Sequence, residues 1–272
     1  LILSIESSCD DTGAAVIENG NILSNVVSTQ AIHEKYGGVV PELASRAHQG
    51  NIVPVVDAAI QSSGKVLSGF DAIACTQGPG LLGSLLVGNS FAKSLSLSLN
   101  KPLILVDHLH AHLVSHWLAE EKPEIPFLCM LVSGGHTLLV IMTSPLEYKI
   151  AGSTTDDAAG EAFDKAAKVL GLPYPGGPLL DKLAKDGDSL KYKFPIVDVL
   201  GYDYSFSGLK TSFLYFIHKE IKKNPDFVKE NMADICASYQ HKIVTYLLQN
   251  FARVANDFNI KNVGIAGGVA AN

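Results

Sequence analysis

FLCMLVSGGHTLLVIM, residues 127–142, is two apolar runs joined by a tight Gly-Gly turn, the pattern of a strand, a turn and a returning strand. The chain opens the same way. LILSIESSCDDTGAAVIENG, residues 1–20, reads as strand, polar turn and strand, and Asn19-Gly20 makes a second turn into NILSNVVS. A second pair of stretches repeats as well. AIACTQGPGLLG (72–83) and VGIAGGVAAN (263–272) are each an apolar strand running into a glycine turn and a helix. Two halves built from the same parts, with strands alternating with helices, predict a duplicated α/β fold. Two such lobes, each presenting a hairpin loop to a shared cleft, would form a nucleotide clamp. The proline-rich KPEIP (122–126) marks the expected boundary, giving lobes 1–122 and 123–272.

Between these landmarks, helices are expected over about Val40 to Ser62, after GPGLLG, along AAGEAFDKAAKVLGL (158–172), in a short piece after PYPGG, and over about Asp226 to Leu248 and on to Phe258. Of the 272 residues, 47% are hydrophobic and only 18% charged, with 24 glycines, a composition for compact cores rather than disorder. A net charge of −6 argues against gripping nucleic acid by bulk charge, so an RNA partner would need local lysines or another subunit. Lys210, Lys219, Lys222 and Lys223 form the only basic cluster, and a solvated helix face explains it as well. The four cysteines, Cys9, Cys75, Cys129 and Cys236, form no C-x-x-C pair, and three sit in apolar strand-like runs as reduced thiols do. No secretory signal or long apolar span is present, so a cytoplasmic protein without a membrane partner is expected. The chain starts inside a strand pattern and stops where a strand turns toward a helix, and is expected to continue past Asn272.

Several motifs could carry chemistry. DHLHAHLVSHW (107–117) puts four of the nine histidines in eleven residues. On a helix running to about Glu121, His108 with His112 and His112 with His116 would share a face, and two imidazoles on one face can hold a metal ion. His110 would point to the other side. Two ligands are insufficient, and a third must come from elsewhere. VSGGHT (132–137) is a turn dense in N–H groups that could cradle an anion, or a plain hairpin turn, and His136 favours function because a turn needs no imidazole. SSCDDTG (7–13) places Asp10 and Asp11 in the first turn, as a metal or base pair or simply as good turn residues. In TTDDAAGEAFDKAAK (154–168), Thr154 or Thr155 is the expected N-cap with Asp156 and Asp157 in the first turn, which leaves Asp164 unexplained beside the apolar face. YPGGPLLDK (174–182) suits a rigid loop close to a ligand, or a generic loop. GPGLLG (78–83) with Asp107 imitates a dinucleotide fingerprint. Pro79 removes an N–H that a pyrophosphate would use, so glycines for a tight turn and close packing are the preferred reading.

SIESSCDDTGAAV, YGGVVPELASRAH, GPGLLGSLLVG, DHLHAHL, LVSGGHT, DDAAGEAFDKAAKVLGLPYPGGP, YSFSGLKTS and GIAGGVAAN occur in a consistent order from Leu1 to Asn272. Together they resemble the TsaD family, the tRNA adenosine threonylcarbamoyltransferases once labelled O-sialoglycoprotein endopeptidases, in a bacterial or organellar form. The resemblance implies the actin, Hsp70 and sugar-kinase fold, with two similar α/β lobes around a cleft. It implies transfer of a threonylcarbamoyl group from threonylcarbamoyl-AMP to N6 of adenosine 37 in tRNAs that read ANN codons. His108 and His112 would hold one divalent metal ion per subunit, iron or zinc, with the third ligand beyond Asn272. Leu131, Val132, Ser133, Gly134, Gly135 and His136 would face the substrate, and Asp164, Gly177, Asp181 and Asn272 would surround its adenosine and ribose. Asp10 matches the base that activates the adenine amine. Implied partners are tRNA, TsaB-like and TsaE-like proteins, and a TsaC-like synthase that supplies the adenylate. The competing expectation is a nucleotide-binding scaffold of the same fold without catalysis.

Overall fold

In the computed structural model, residues 1–196 and 199–272 are described, and their contacts divide into two compact units, Leu1–Ala111 and His112–Asn272. Unit 1 is a five-stranded sheet of β1 (Ile2–Glu6), β2 (Thr12–Glu18), β3 (Asn21–Ser28), β4 (Ala72–Gly78) and β5 (Leu103–Asp107), in the order β3-β2-β1-β4-β5. β1 pairs antiparallel with β2, and β2 with β3, as the turns at residues 7–11 and at Asn19-Gly20 require. β1 and β4 run parallel, and so do β4 and β5, because helices return the chain between them.

Those helices are α1 (Pro41–Ser63), which starts with Pro41 in its first turn and ends on Gly64 at φ 66°, and α2 (Leu82–Leu99). Ser84, Gly88, Ala92 and Ser96 make the buried stripe of α2 at four-residue spacing. The stripe is small because the approach is close: a Cβ on Gly88 would overlap the Ser7 hydroxyl. Leu3, Ile5, Val16, Ile52, Val56, Phe70 and Ile73 fill the core beneath.

Unit 2 repeats the plan. β6 (Phe127–Val132), β7 (Thr137–Ser144), β8 (Glu147–Ser153) and β9 (Asn262–Ala266) form a sheet in the order β8-β7-β6-β9. β6 is antiparallel to β7 and parallel to β9, as β1 is to β2 and β4. The duplicated α/β architecture expected from the repeated strand–turn–strand patterns is therefore present.

A short helix, α3 (His108–Val114), joins the two units. By contacts the chain divides inside α3, where His108 is held by unit 1 side chains, whereas His116 and Trp117 pack on Phe127 of β6. The remaining helices of unit 2 are α4 (Ala159–Val169), α5 (Gly176–Ala184), α6 (Ser207–Lys223), α7 (Phe227–Glu230) and α8 (Met232–Asp257). Phe163, Phe194, Phe206, Phe213, Tyr204 and Tyr239 pack among them, and Phe213 lies 4.6 Å centroid to centroid from Tyr239.

Local differences from the sequence expectations have clear causes. β8 escapes the period-2 pattern because Glu147 to Lys149 are exposed on both faces. α6 precedes the two expected helical stretches and is anchored by Leu209, Phe213 and Ile217, buried at four-residue spacing. Cys236 sits on α8 and not in a strand, although it is buried and unpaired, as Cys75 and Cys129 are. Neither threonine caps α4. It starts at Ala159, whose N–H donates to the Thr137 hydroxyl of β7 at 2.8 Å, while Thr154 bonds the carbonyl of Asp157. Asp156 instead caps α6, accepting from the N–H groups of Phe206 and Ser207 and from the Ser205 hydroxyl.

Candidate functional site

In unit 1 the turn after β1 is pinned from several sides. The Leu81 N–H donates to the Ser8 carbonyl at 2.7 Å, and Ser7 donates to the Ser84 carbonyl at 2.9 Å. The Cys9 carbonyl lies 3.0 Å from both the Ser84 hydroxyl and His48 Nε2. His48 is fully buried, and its Nδ1 meets the Thr12 hydroxyl at 2.7 Å, so both ring nitrogens are satisfied. This scaffold presents Asp10, half-buried, beside the exposed Asp11. Burial and the neighbouring Asp10 charge push the Asp11 carboxyl up.

GPGLLG belongs to the same packing. A Cβ on Gly80 would overlap the Ser8 carbonyl, and one on Gly83 would come within 3.0 Å of Ser45 Cβ. These glycines let α2 and its leading turn press against the β1 turn, and no pyrophosphate has to be invoked for them.

Asp107 closes β5 and caps α3, accepting the His110 N–H at 2.8 Å. His108 and His112 stand one turn apart on α3, with His110 between them. Regular helix stops at Val114 and tightens to a 3-10 turn over Ser115–Leu118, so the expected helix to Glu121 is cut short. His116 packs its ring edge on Phe127, 4.9 Å between centroids, with Nε2 at 3.5 Å from Cys129 Sγ. Burial pushes its pKa down, toward the neutral ring.

Glu6, at the end of β1, is a functional candidate that motif reading passed over. Its Oε2 lies 3.2 Å from His108 Nδ1 and accepts from the Thr76 hydroxyl at 2.6 Å. Its Oε1 accepts the Ser8 N–H, and Ser8 Oγ lies 3.2 Å from the same His108 nitrogen. Burial alone would raise this carboxyl, but the bonds from His108, Thr76 and Ser8 outweigh it and hold the pKa at about 2. A carboxylate beside Nδ1 is the kind of outer partner that orients a metal-ligating histidine. The donor chemistry therefore fits His108 and His112 as two ligands of one ion. Among the described residues no group of three His, Cys, Asp or Glu side chains gathers to complete a site.

In unit 2 the β6–β7 turn is closed by the Ser133 N–H to the His136 carbonyl at 2.8 Å and by the His136 N–H to Ser133 Oγ at 3.0 Å. Open space faces the Cα positions of Gly134 and Gly135. The turn is welded to α4, because the Gly160 N–H donates to the Ser133 carbonyl and a Cβ on Gly160 would come within 2.7 Å of that oxygen. The side chains of Leu131 and Val132 are buried in β6, and Ser133 to His136 form the accessible part of the stretch.

Asp164 is explained by α5. Its Oδ1 accepts the N–H groups of Gly176 at 2.8 Å and Gly177 at 3.2 Å, while burial pushes the carboxyl up against those bonds. A Cβ on Gly176 would overlap Ala167, so the glycine pair lets α5 lie against α4. Asn272 Nδ2 donates to the Gly177 carbonyl at 3.3 Å. Gln240 of α8 then donates to Asp181 Oδ1 at 2.7 Å and to Asn272 Oδ1. Asp164, Gly177, Asp181 and Asn272, scattered over more than a hundred positions, thus come together in one hydrogen-bonded group. Gln240 joins them with no sequence signal of its own, lying on a long amphipathic helix. The lysine cluster is partly engaged, with Lys210 on Asp157 at 3.2 Å and Lys223 on Glu220 at 2.7 Å.

Two α/β units with the same strand order define a protein of the actin, Hsp70 and sugar-kinase fold class. HypF from T. kodakarensis shares that fold, superposing with a TM-score of 0.60 over 100% of this chain and 42% of its own at 15% identity. The model of the TsaD family, tRNA N6-adenosine threonylcarbamoyltransferase, matches residues 21–272, and the chain belongs to that family. A relative of that name from Cytophaga hutchinsonii is 56% identical over 271 residues, covering 100% of this chain and 79% of its own length. The one from Porphyromonas gingivalis is 56% identical over 277 residues, with 100% and 81% covered. The one from Caldicellulosiruptor bescii is 47% identical over 274 residues, again with 100% and 81% covered.

Proposed function

We propose that this protein transfers the threonylcarbamoyl group of threonylcarbamoyl-AMP to N6 of adenosine 37 in tRNAs reading ANN codons. The observation that carries the reading is identity of 56% across the whole chain to relatives named for tRNA N6-adenosine threonylcarbamoyl transfer. In the reaction the adenine N6 forms a bond to the carbamoyl carbon, the bond from that carbon to the phosphate oxygen breaks, and AMP leaves. Adenine N6 is a weak nucleophile, and the Asp10 carboxylate, held out by the pinned turn, takes its proton. Asp164, Gly177, Asp181 and Asn272 hold the adenosine of the donor. The exposed backbone of Gly134 and Gly135 in the β6–β7 turn holds its polar chain or phosphate. Held by His108 and His112, a divalent iron or zinc ion would supply Lewis acidity toward a carbamoyl oxygen. Glu6 orients His108 for that role.

The reaction takes place in the cytoplasm, with TsaB-like and TsaE-like partners and a TsaC-like synthase supplying the adenylate. Among the described residues no helix is long and apolar enough to cross a membrane. The test is restoration of threonylcarbamoyladenosine in depleted tRNA by the full-length protein with its partner proteins. His112→Ala should abolish the product and bound metal while the fold persists. If His108→Ala and His112→Ala both left product and metal content unchanged, the site assignment would be wrong.

A further inference from the structure

Gln240 touches both Asp181 and Asn272. A side-chain amide nitrogen carries two hydrogens and no lone pair for accepting. Here one hydrogen serves Asp181 Oδ1 at 2.7 Å and the other serves Asn272 Oδ1. The second contact also fixes which way the Asn272 amide faces, turning Nδ2 onto the Gly177 carbonyl. With Oδ1 held by Gln240 and Lys185 no nearer than 4.0 Å, Asp181 keeps acceptor capacity on Oδ2. A carboxylate with one oxygen anchored and the other available is suited to accept from the hydroxyls of a ribose diol. Gln240 itself comes from the middle of α8, a 26-residue helix packed into the core by Ile235, Tyr239, Ile243 and Leu247. Its backbone is therefore held by the core packing of α8.

We propose that Gln240 is a positioning residue for a nucleoside monophosphate ester, setting the Asp181 carboxylate for recognition of the ribose 2′- and 3′-hydroxyls. The inference rests on the reading that Asp181 and Asn272 face the donor's adenosine. Gln240 touches no reacting atom and acts through these two neighbours. Its amide nitrogen is the part that matters. Gln240→Glu keeps the shape, removes both donors and sets a carboxylate against Asp181.

The experiment uses the full-length protein, with AMP and 2′-deoxy-AMP as calorimetric probes and threonylcarbamoyl-AMP in steady-state turnover. Loss of the aligned carboxylate should weaken AMP binding about ten- to a hundredfold, the worth of a hydrogen bond to a charged group. KM for the donor should rise more than kcat falls, and the preference for AMP over 2′-deoxy-AMP should collapse. A merely structural link between α8 and α5 would move the melting temperature and leave that preference intact. If Gln240→Glu does not fold, Gln240→Leu, which removes the donors without adding charge, is measured the same way. Wild-type affinity, KM and 2′-hydroxyl preference in whichever variant folds would overturn the proposal. If the wild-type protein neither binds AMP nor turns over the donor, the functional reading itself falls.

Discussion

Gly160 stands at the second position of α4, where alanine would ordinarily be the better helix former. Glycine to alanine in a helix interior gains roughly 0.5–1 kcal/mol, and less in a first turn. Against that gain, a Cβ at Gly160 would lie 2.7 Å from the Ser133 carbonyl oxygen, 2.9 Å from Gly134 Cα and 2.9 Å from Val269 Cγ2. Two of those three atoms are backbone of the β6–β7 turn and cannot swing aside as a side-chain tip does. Overpacking of this kind costs about 1–3 kcal/mol. The clash therefore wins, and Gly160→Ala should be destabilising by about 1–2 kcal/mol, a fall in melting temperature of roughly 2–8 °C for a chain of this size. Gly50, exposed within α1, has nothing within 4 Å of the same added atom, so Gly50→Ala should raise stability by up to about 1 kcal/mol. Thermal melts of the two variants side by side decide the matter. Donor KM should rise only in Gly160→Ala, because the displaced Ser133 and Gly134 lie in the turn proposed to hold the substrate. Equal stabilisation by both alanines would refute the close approach between α4 and that turn.

Asp156→Ala should cost about 1–2 kcal/mol by uncapping α6, measured by denaturant titration. Burial raises the Asp156 carboxyl, but the donors Ser205, Phe206 and Ser207 outweigh it and the folded pKa is lowered. Its contribution is then complete above the unfolded carboxylate value of about 3.9 and is lost as pH falls through the lower folded value. The stability gap between wild type and Asp156→Ala should accordingly close in acid and stay constant from pH 5 to neutrality. Glu6→Gln should weaken metal affinity by about 10- to 100-fold with little change in secondary structure, since it removes the carboxylate behind His108. Metal titration followed by circular dichroism checks it, and unchanged affinity would dismiss Glu6 as an orienting group.

Periodicity and turn chemistry exposed the duplication, because the patterns in residues 1–20 and 127–142 are local and each strand is bounded by its own turn. The motifs carried the family. His108 and His112 were legible as a pair because four residues is one helical turn. The glycines of GPGLLG were legible as packing because Pro79 cannot donate.

What stayed hidden depended on atoms far apart in the chain. Glu6 and His108 are 102 positions apart and meet only because parallel pairing of β1, β4 and β5 brings both strand ends to one edge of the sheet. Thr137, not a threonine near the helix, receives the first N–H of α4. Leu131 and Val132 are family-motif residues that the second sheet turns into core. Gln240 carries no motif at all. The sequence determined the elements, their order and the residue types the chemistry needs, since these depend on neighbours a few positions away. Only the tertiary structure decided which carboxylate backs the histidine and which amide aligns Asp181, because a hydrogen bond depends on a distance of about 3 Å and an angle.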